Sequence, residues 1–424
     1  MTTLCNGTST VWPTFARDCW EKVATSGESE FVDLNDNLTP AMFESLVTAA
    51  EVWRRGGEEA KFCFWIDGIK QATFDNLLPR ADDRSFEGYR DRMQSQLHGC
   101  EYTLLLAEPH TFNAQVWGEC RRITSHFLPY TGLPNGWLDT AIFLGSYRTT
   151  PFGVHQGPMS VFTIPLIGRK SFRLWSPEYV GADSSIINSM TYEEHKASSY
   201  KLSAGPGGFI YWPSREWHVA EAQSNDFSAA LSIGIWCNQS DFHPLWAVTK
   251  LLEKLLAREP LLDVAPCDKP FISGGIITPE LPRSTEYYIE RLEACVRSGE
   301  LRSEALGLLA QQYSTQGFKL PPRCMNETPL LADDRLARDN RFSIVASPTP
   351  AGALVVAANG HALSITDVLG VRRLLAELDQ RSETFTAASL LLDVPDIGAG
   401  GLDIQDLLLI LDHFLAAGCV AREA

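Results

Sequence analysis

At 424 residues, 45% hydrophobic and 21% charged, the chain is long enough for two or three domains, each with a core of its own. A net charge of −16 opposes non-specific nucleic-acid binding, which needs basic patches, and is compatible with a cationic peptide partner. There is no apolar run of membrane-spanning length and no basic or apolar leader at the N-terminus. The ten cysteines stand singly from Cys5 to Cys419 without a C-x-x-C pair, so a cytoplasmic protein with free thiols and no membrane partner is expected.

Residues 1–130 read as an α/β segment packing on a barrel formed by residues 131–243. "PAMFESLVTAAEVWRR" predicts a helix over Pro40–Arg55, "RRGGEEAK" a solvated turn, and Lys61–Ile66 a strand. In residues 131–243 the texture changes: "TAIFLGSY", "SVFTIPLIG", "KSFRLW", "GGFIYW" and "FSAALSIGIW" are short β-like runs separated by Gly, Pro and Ser, which predicts an all-β barrel or sandwich core. Residues 244–325 turn helical. In "PLWAVTKLLEKLLAREP", Leu245, Val248, Leu251, Leu252, Leu255 and Leu256 form one apolar stripe, suited either to homodimerisation or to packing on the barrel. Helices are predicted at 285–297 and 301–313, with a linker at Pro321 and Pro322. Residues 326–424 read as a separate small domain. Two strands lie in "FSIVASPTPAGALVVAANG" and helices near 364–379, 384–392 and 402–417, a winged-helix-like content whose acidic balance opposes DNA binding. The whole is an α+β chain. "GPGG" (205–208) and "GAGG" (398–401) lack the context of a phosphate loop and read as turns.

Of nine histidines, two stand at the edges of β-like runs: His155 before "SVFTIPLIG", and His218 closing "GPGGFIYWPSREWH". Imidazoles from opposite strands of a barrel can converge on a divalent metal with positions left open for substrate and oxygen. Lys170, on the strand after "SVFTIPLIG", can reach into the same barrel to meet a carboxylate. Trp212, Trp217 and Trp236 cluster near this mouth, as an aromatic wall or as core packing.

These runs resemble the cupin-type JmjC family of iron(II) and 2-oxoglutarate dependent oxygenases, closest to the ribosomal oxygenases. That family shows H-x-D-x-x-D-V-F, then a Gly-Arg-Arg or Gly-x-Lys strand, then G-D-x-x-Y-x-P-x-x-x-x-H. Here "HQGPMSVF", "GRKSFRLW" and "GPGGFIYWPSREWH" occur in that order, and "FARDCWEKVA" and "LSIGIW" add to the likeness. The resemblance implies a double-stranded β-helix barrel with a helical insert and a C-terminal winged-helix-like domain. It implies that His155 and His218 are iron ligands and that Lys170 meets the distal carboxylate of 2-oxoglutarate. By strand position Thr163 and Ser232 are hydroxyl donors near the cosubstrate. The activity implied is oxidation of an unactivated C–H bond in a peptide, a protein or a carrier-tethered amino acid.

One position departs from that pattern. The family's carboxylate ligand falls on Gly157 and its later acidic position on Ser160, so two histidines remain without the usual carboxylate. Three readings are open. An anion such as chloride takes the vacated position, as in the iron and 2-oxoglutarate halogenases that show H-x-G or H-x-A, and a chlorine is transferred. Water or another carboxylate, such as Glu221, completes the shell and hydroxylation is kept. Or the metal is lost, leaving a catalytically inactive peptide-binding module.

Overall fold

The computed structural model describes residues 11–28, 31–222, 226–237, 248–253, 283–318, 328–340, 343–350 and 352–423. The chain divides into two compact units, Met1–Gln239 with Gln316–Pro322, and Ser240–Thr315 with Arg323–Ala424.

The first unit is built on twelve strands: β1 (Thr25–Gly27), β2 (Lys61–Ile66), β3 (Ile69–Lys70), β4 (Tyr102–Ala107), β5 (Leu138–Ser146), β6 (His155–Gln156), β7 (Ser160–Ile167), β8 (Lys170–Trp175), β9 (Tyr200–Ala204), β10 (Phe209–Trp212), β11 (Trp217–Glu221) and β12 (Phe227–Ile235). They pair antiparallel in two sheets, ordered β1-β10-β7-β12-β5-β4-β2-β3 and β6-β11-β8-β9. Residues 61–107 therefore extend the larger sheet: β4 runs beside β5 with Leu104 opposite Leu144. The alternation of "TAIFLGSY" and "SVFTIPLIG" buries one face of each strand between the sheets and the other beneath the helices.

Helices α1 (Val11–Asp18), α2 (Val32–Arg54), α3 (Phe86–Leu97), α4 (Ala114–Ser125) and α5 (Leu128–Thr131) belong to this unit, with α6 (Pro177–Ala182) between β8 and β9. The predicted helix at Pro40–Arg55 begins earlier, at Val32, and carries Pro40 inside it. A proline costs least in the first turn, hence the sequence reading. Burial of Leu38, Met42, Leu46 and Ala49, each fully covered, outweighs the missing hydrogen bond. Outside the larger sheet, Trp12 and Phe15 of α1 join Phe127, Phe162, Phe209 and Tyr211. The Phe127 and Phe162 rings stack at 4.6 Å and Phe15 meets Tyr211 edge-on at 4.8 Å. At about 1.5–3 kcal/mol per buried ring, this cluster fastens the N-terminal helix to the barrel.

In the second unit, residues 248–253 are helical, and helices Arg283–Ser298 and Glu300–Ser314 precede a three-stranded antiparallel sheet of Ile344–Pro348, Ala353–Ala358 and His361–Thr366. The rest of the predicted helix 244–260 and the Pro321–Pro322 linker lie outside the described residues. Four helices come next, Leu369–Gln380, Ala387–Asp393, Pro395–Ala399 and Ile404–Ala416. They enclose Leu354, Val356, Leu374, Leu407, Leu411 and Phe414. The helix expected from 364 starts at Leu369 because His361–Thr366 alternates in burial as a strand edge does. "GAGG" is not wholly a turn, since Gly398 lies in the helix Pro395–Ala399. Among the described residues no helix is long and apolar enough to cross a membrane.

Candidate functional site

Between the two sheets lies a cavity of about 380 Å³. One wall is written at period two along a single segment: His155, Gly157, Met159, Val161 and Thr163 all face it. The register sets the depth of the other groups. Asp139 of β5 sits opposite Gly234 of β12, which sits opposite Val161 of β7. One layer further in, Ala141, Ser232 and Thr163 align in the same way. Lys170 opens β8, at the far end from the start of β7, so the histidines and the lysine occupy opposite ends of the cavity. Glu108 and Asp139 line the histidine end.

The histidine pair is produced by strand register. His155 of β6 is the direct partner of His218 of β11, and cross-strand partners project side by side, so the two rings stand 4.3 Å apart between centroids. Each ring is oriented by a backbone carbonyl, which can only accept. Nδ1 of His155 donates to Gly153 O at 3.0 Å and Nδ1 of His218 donates to Glu216 O at 3.2 Å. That fixes the tautomer and leaves the Nε2 lone pair of each ring available to a metal. Burial, and then the neighbouring His155, push His218 down to about 3, and burial also lowers His155. Both rings are therefore neutral imidazoles at pH 7, the form that binds metal.

Among the described residues no group of three His, Cys, Asp or Glu side chains could share a metal ion, in keeping with glycine at position 157. A Cβ added to Gly157 would meet nothing nearer than Met159 N at 4.0 Å. The place of a third ligand is thus open. Opposite it, Met159 lies flat against Gly234, where a Cβ would come within 2.2 Å of the Met159 sulfur.

Lys170 is 2% exposed. Its ammonium donates to the Tyr147 hydroxyl and stands 4.4 Å from that ring's centroid, and among the described residues no carboxylate forms an ion pair with it. A buried cation without an anion is costly by several kcal/mol, and a bound carboxylate relieves that cost. Thr163 and Ser232 are cross-strand partners whose hydroxyls share a hydrogen bond at 3.0 Å, midway between the lysine and the histidines. His155, Gly157, Thr163, Lys170, His218 and Ser232 all line this one cavity.

The structure corrects the suggestion that Glu221 completes a metal shell. His218 and Ala220 face the cavity, so by strand alternation Glu221 points to the other side of the sheet. There it pairs with Arg173 at 2.7 Å and Lys201 at 3.2 Å and accepts from the Tyr192 hydroxyl at 2.9 Å. Of the three tryptophans, Trp212 lines the cavity with its ring 4.8 Å from His218. Trp217 packs on the opposite face with Trp175 and Val219, and Trp236 donates to Asp139 at 2.7 Å. Sequence reasoning missed Tyr147, Met159, Glu108 and Asp139. Period-two counting from His155 reaches Met159, whereas Asp139 lies on β5, and Tyr147 and Glu108 lie just beyond the ends of β5 and β4, strands that carry no motif.

The donor set fits a divalent iron and a dicarboxylate: two neutral imidazoles with free Nε2, an open third position, and a buried ammonium beyond a pair of hydroxyls. The fold is the cupin fold of the JmjC-type ribosomal oxygenases. The chain is similar in structure to the ribosomal oxygenase YcfD of Escherichia coli. In complex with cobalt and 2-oxoglutarate, that protein matches at a TM-score of 0.52 with 18% identity over 100% of both chains. Its complex with cobalt and succinic acid matches at 0.51 with 17% identity over 100% of this chain and 99% of that one. In sequence the chain is similar to the bifunctional lysine-specific demethylase and histidyl-hydroxylase NO66 of Dictyostelium discoideum, 27% identical over 294 residues, 64% of this chain and 52% of the relative. The Caenorhabditis elegans protein of that name is 22% identical over 300 residues, 63% of this chain and 37% of the relative. The chain thus spans about half or less of the length of these curated relatives. No family model matches it.

Proposed function

We propose that this protein is an oxidoreductase of the JmjC type, using iron(II) and 2-oxoglutarate to oxidise an unactivated C–H bond in a peptide or protein. The observation that carries the reading is the polarised cavity, with a neutral histidine pair at one end and, at the other, a buried ammonium that has no carboxylate partner among the described residues. With iron(II) and 2-oxoglutarate bound, dioxygen would supply the oxidising equivalents for C–H cleavage, 2-oxoglutarate being oxidised to succinate and carbon dioxide. His155 and His218 hold the metal through Nε2. Lys170, steadied by Tyr147, meets the distal carboxylate of the cosubstrate, and the Thr163 and Ser232 hydroxyls donate along its length. Phe152, Phe172 and Trp212 keep water from the histidine end. Glu108 and Asp139 at that end favour a substrate side chain carrying positive charge, in accord with the acidic chain as a whole. The solved and curated relatives support this reading through their names, a ribosomal oxygenase holding 2-oxoglutarate and a histidyl-hydroxylase. A winged-helix role for the C-terminal residues in gripping a leader or basic segment, and a cytoplasmic setting, complete the proposal.

Gly157 favours one finer version. With the third position open, chloride has room on the metal, and its charge replaces that of the missing carboxylate. The test is to supply iron(II), oxygen and labelled 2-oxoglutarate with basic and acidic peptides, with and without chloride, and to read succinate and product masses. Succinate formation with a gain of one oxygen establishes a hydroxylase, and chloride-dependent addition of chlorine a halogenase. Lys170→Ala is expected to weaken 2-oxoglutarate binding about 100-fold, as for loss of one partner of a buried charge pair, with metal binding unchanged. Failure of the wild-type protein to bind iron at micromolar levels or to form succinate sinks the enzyme reading in favour of a metal-free peptide-binding module.

A further inference from the structure

The two histidine strands converge on one turn. Pro213–Glu216 joins β10 to β11 and is closed by the Glu216 N–H donating to Pro213 O at 3.2 Å. Three of its other polar groups are held from outside the turn or by its neighbours. The Glu216 carbonyl accepts from Nδ1 of His218 at 3.2 Å. The Arg215 carbonyl accepts at 2.6 Å from the side-chain amide of Gln156, the residue next to His155. The Ser214 hydroxyl, 9% exposed, donates to Glu21 at 3.4 Å.

Glu21 comes from far away in sequence, in the turn after α1. It accepts from the Ser160 hydroxyl and, at 3.4 Å, from the Tyr211 hydroxyl, while its own N–H donates to Tyr211 at 2.9 Å. Its backbone is left-handed, at φ 54°, an unusual conformation for a residue with a side chain. Phe15 and Trp20 clamp the same Tyr211 ring, at 4.8 and 5.8 Å. A single carboxylate therefore ties together the start of β7, the end of β10 and the turn that orients His218. Ser160 lies at the start of the strand after Gly157, so the chain beyond the open ligand position is anchored to it.

We propose that Glu21 is a positioning residue for the His155–His218 pair. It acts through Ser214 and the Pro213–Glu216 turn, and Gln156 couples the second histidine strand to the same turn. The ring orientation of a metal-binding histidine is set by the partner of its Nδ1, and here that partner is a carbonyl whose place depends on the turn. The inference rests on the reading of the pair as metal-holding.

Two variants test it, Glu21→Gln and the milder Ser214→Ala, with cobalt(II) as the probe and the full chain as the protein. Glu21→Gln is expected to lower cobalt affinity about tenfold and to alter the visible spectrum of the bound ion. Ser214→Ala should act in the same direction with an unchanged melting temperature. In the metal-free protein, imidazole nitrogen NMR should show His218 protonated on Nδ1, and mixed tautomers in Glu21→Gln. Wild-type cobalt affinity, spectrum and tautomer in both variants overturn the proposal. Failure of the wild-type protein to bind cobalt overturns the metal reading instead, while the tautomer comparison still decides the role of Glu21.

Discussion

Gly157 is defined by the space around it. Its backbone is not left-handed, and the nearest atom to an added Cβ is 4.0 Å away, so neither conformation nor crowding requires glycine here. Gly234 is the opposite case, because any side chain there collides with Met159. Gly157→Asp should therefore be accepted without loss of fold and supply the third ligand. Cobalt(II) affinity is expected to rise on the order of tenfold by calorimetric titration. Unchanged cobalt affinity would show that position 157 does not face the metal. The histidines and the lysine were legible at this scale as residue types beside β-like runs. Tyr147 was not, since a tyrosine just beyond a strand carries no sign of which cation will lie over it.

At the scale of the element, strand β11 decides by alternation what its residues do. His218 and Ala220 turn to the cavity, Val219 and Glu221 to the far side, where Glu221 joins Arg173, Lys201 and Tyr192. Burial alone would raise the Glu221 carboxyl, but hydrogen bonds from Arg173, Tyr192 and Lys201 outweigh it and hold it below its ordinary range. A carboxyl depressed in the fold adds stability that is complete above its unfolded pKa, about 4.3, and is lost as pH falls through the folded value. Glu221→Gln is expected to cost about 2 kcal/mol at pH 7, leaving the half-buried Arg173 without its anion. In urea unfolding the gap between wild type and variant should narrow as pH drops below about 4. Equal midpoints at pH 7 would show that the network adds nothing to stability. The strands of the barrel were legible from their turn punctuation, and the start of α2 was not, because burial of its apolar face overrode the local signal of Pro40.

For the whole molecule, the first unit is completed by residues that return to it late in the chain. Gly317 accepts from Leu138 N at 2.7 Å, and Phe318, fully buried, meets Trp117 at 5.7 Å and His110 at 5.6 Å. Phe318→Ala is expected to destabilise this unit by about 4 kcal/mol and to lower its melting temperature by about 10 °C, read by calorimetry. A change within 1–2 °C would show that the returning segment is dispensable. A chain ended before residue 316 should share the defect. Sequence reading from 131–243 alone gave no hint of this closure, because contacts across such separations leave no periodic trace.

By itself the sequence determined the chemistry on offer: two histidines and a lysine on separate short strands, hydroxyls at matching strand positions, and a glycine where a carboxylate would complete a metal site. Those are properties of residue type and local spacing, and they survive in any fold with the same strands. Only the tertiary structure decided which of them meet. Register brought His155 opposite His218, and pleat direction turned Glu221 away. Sheet pairing between distant strands placed Glu108 and Asp139 at the histidine end, and backbone carbonyls of Gly153 and Glu216 fixed the orientation of the rings. Side-chain convergence is set by the pairing of strands remote in sequence, and pairing is chosen by the burial of the whole sheet rather than by any one segment.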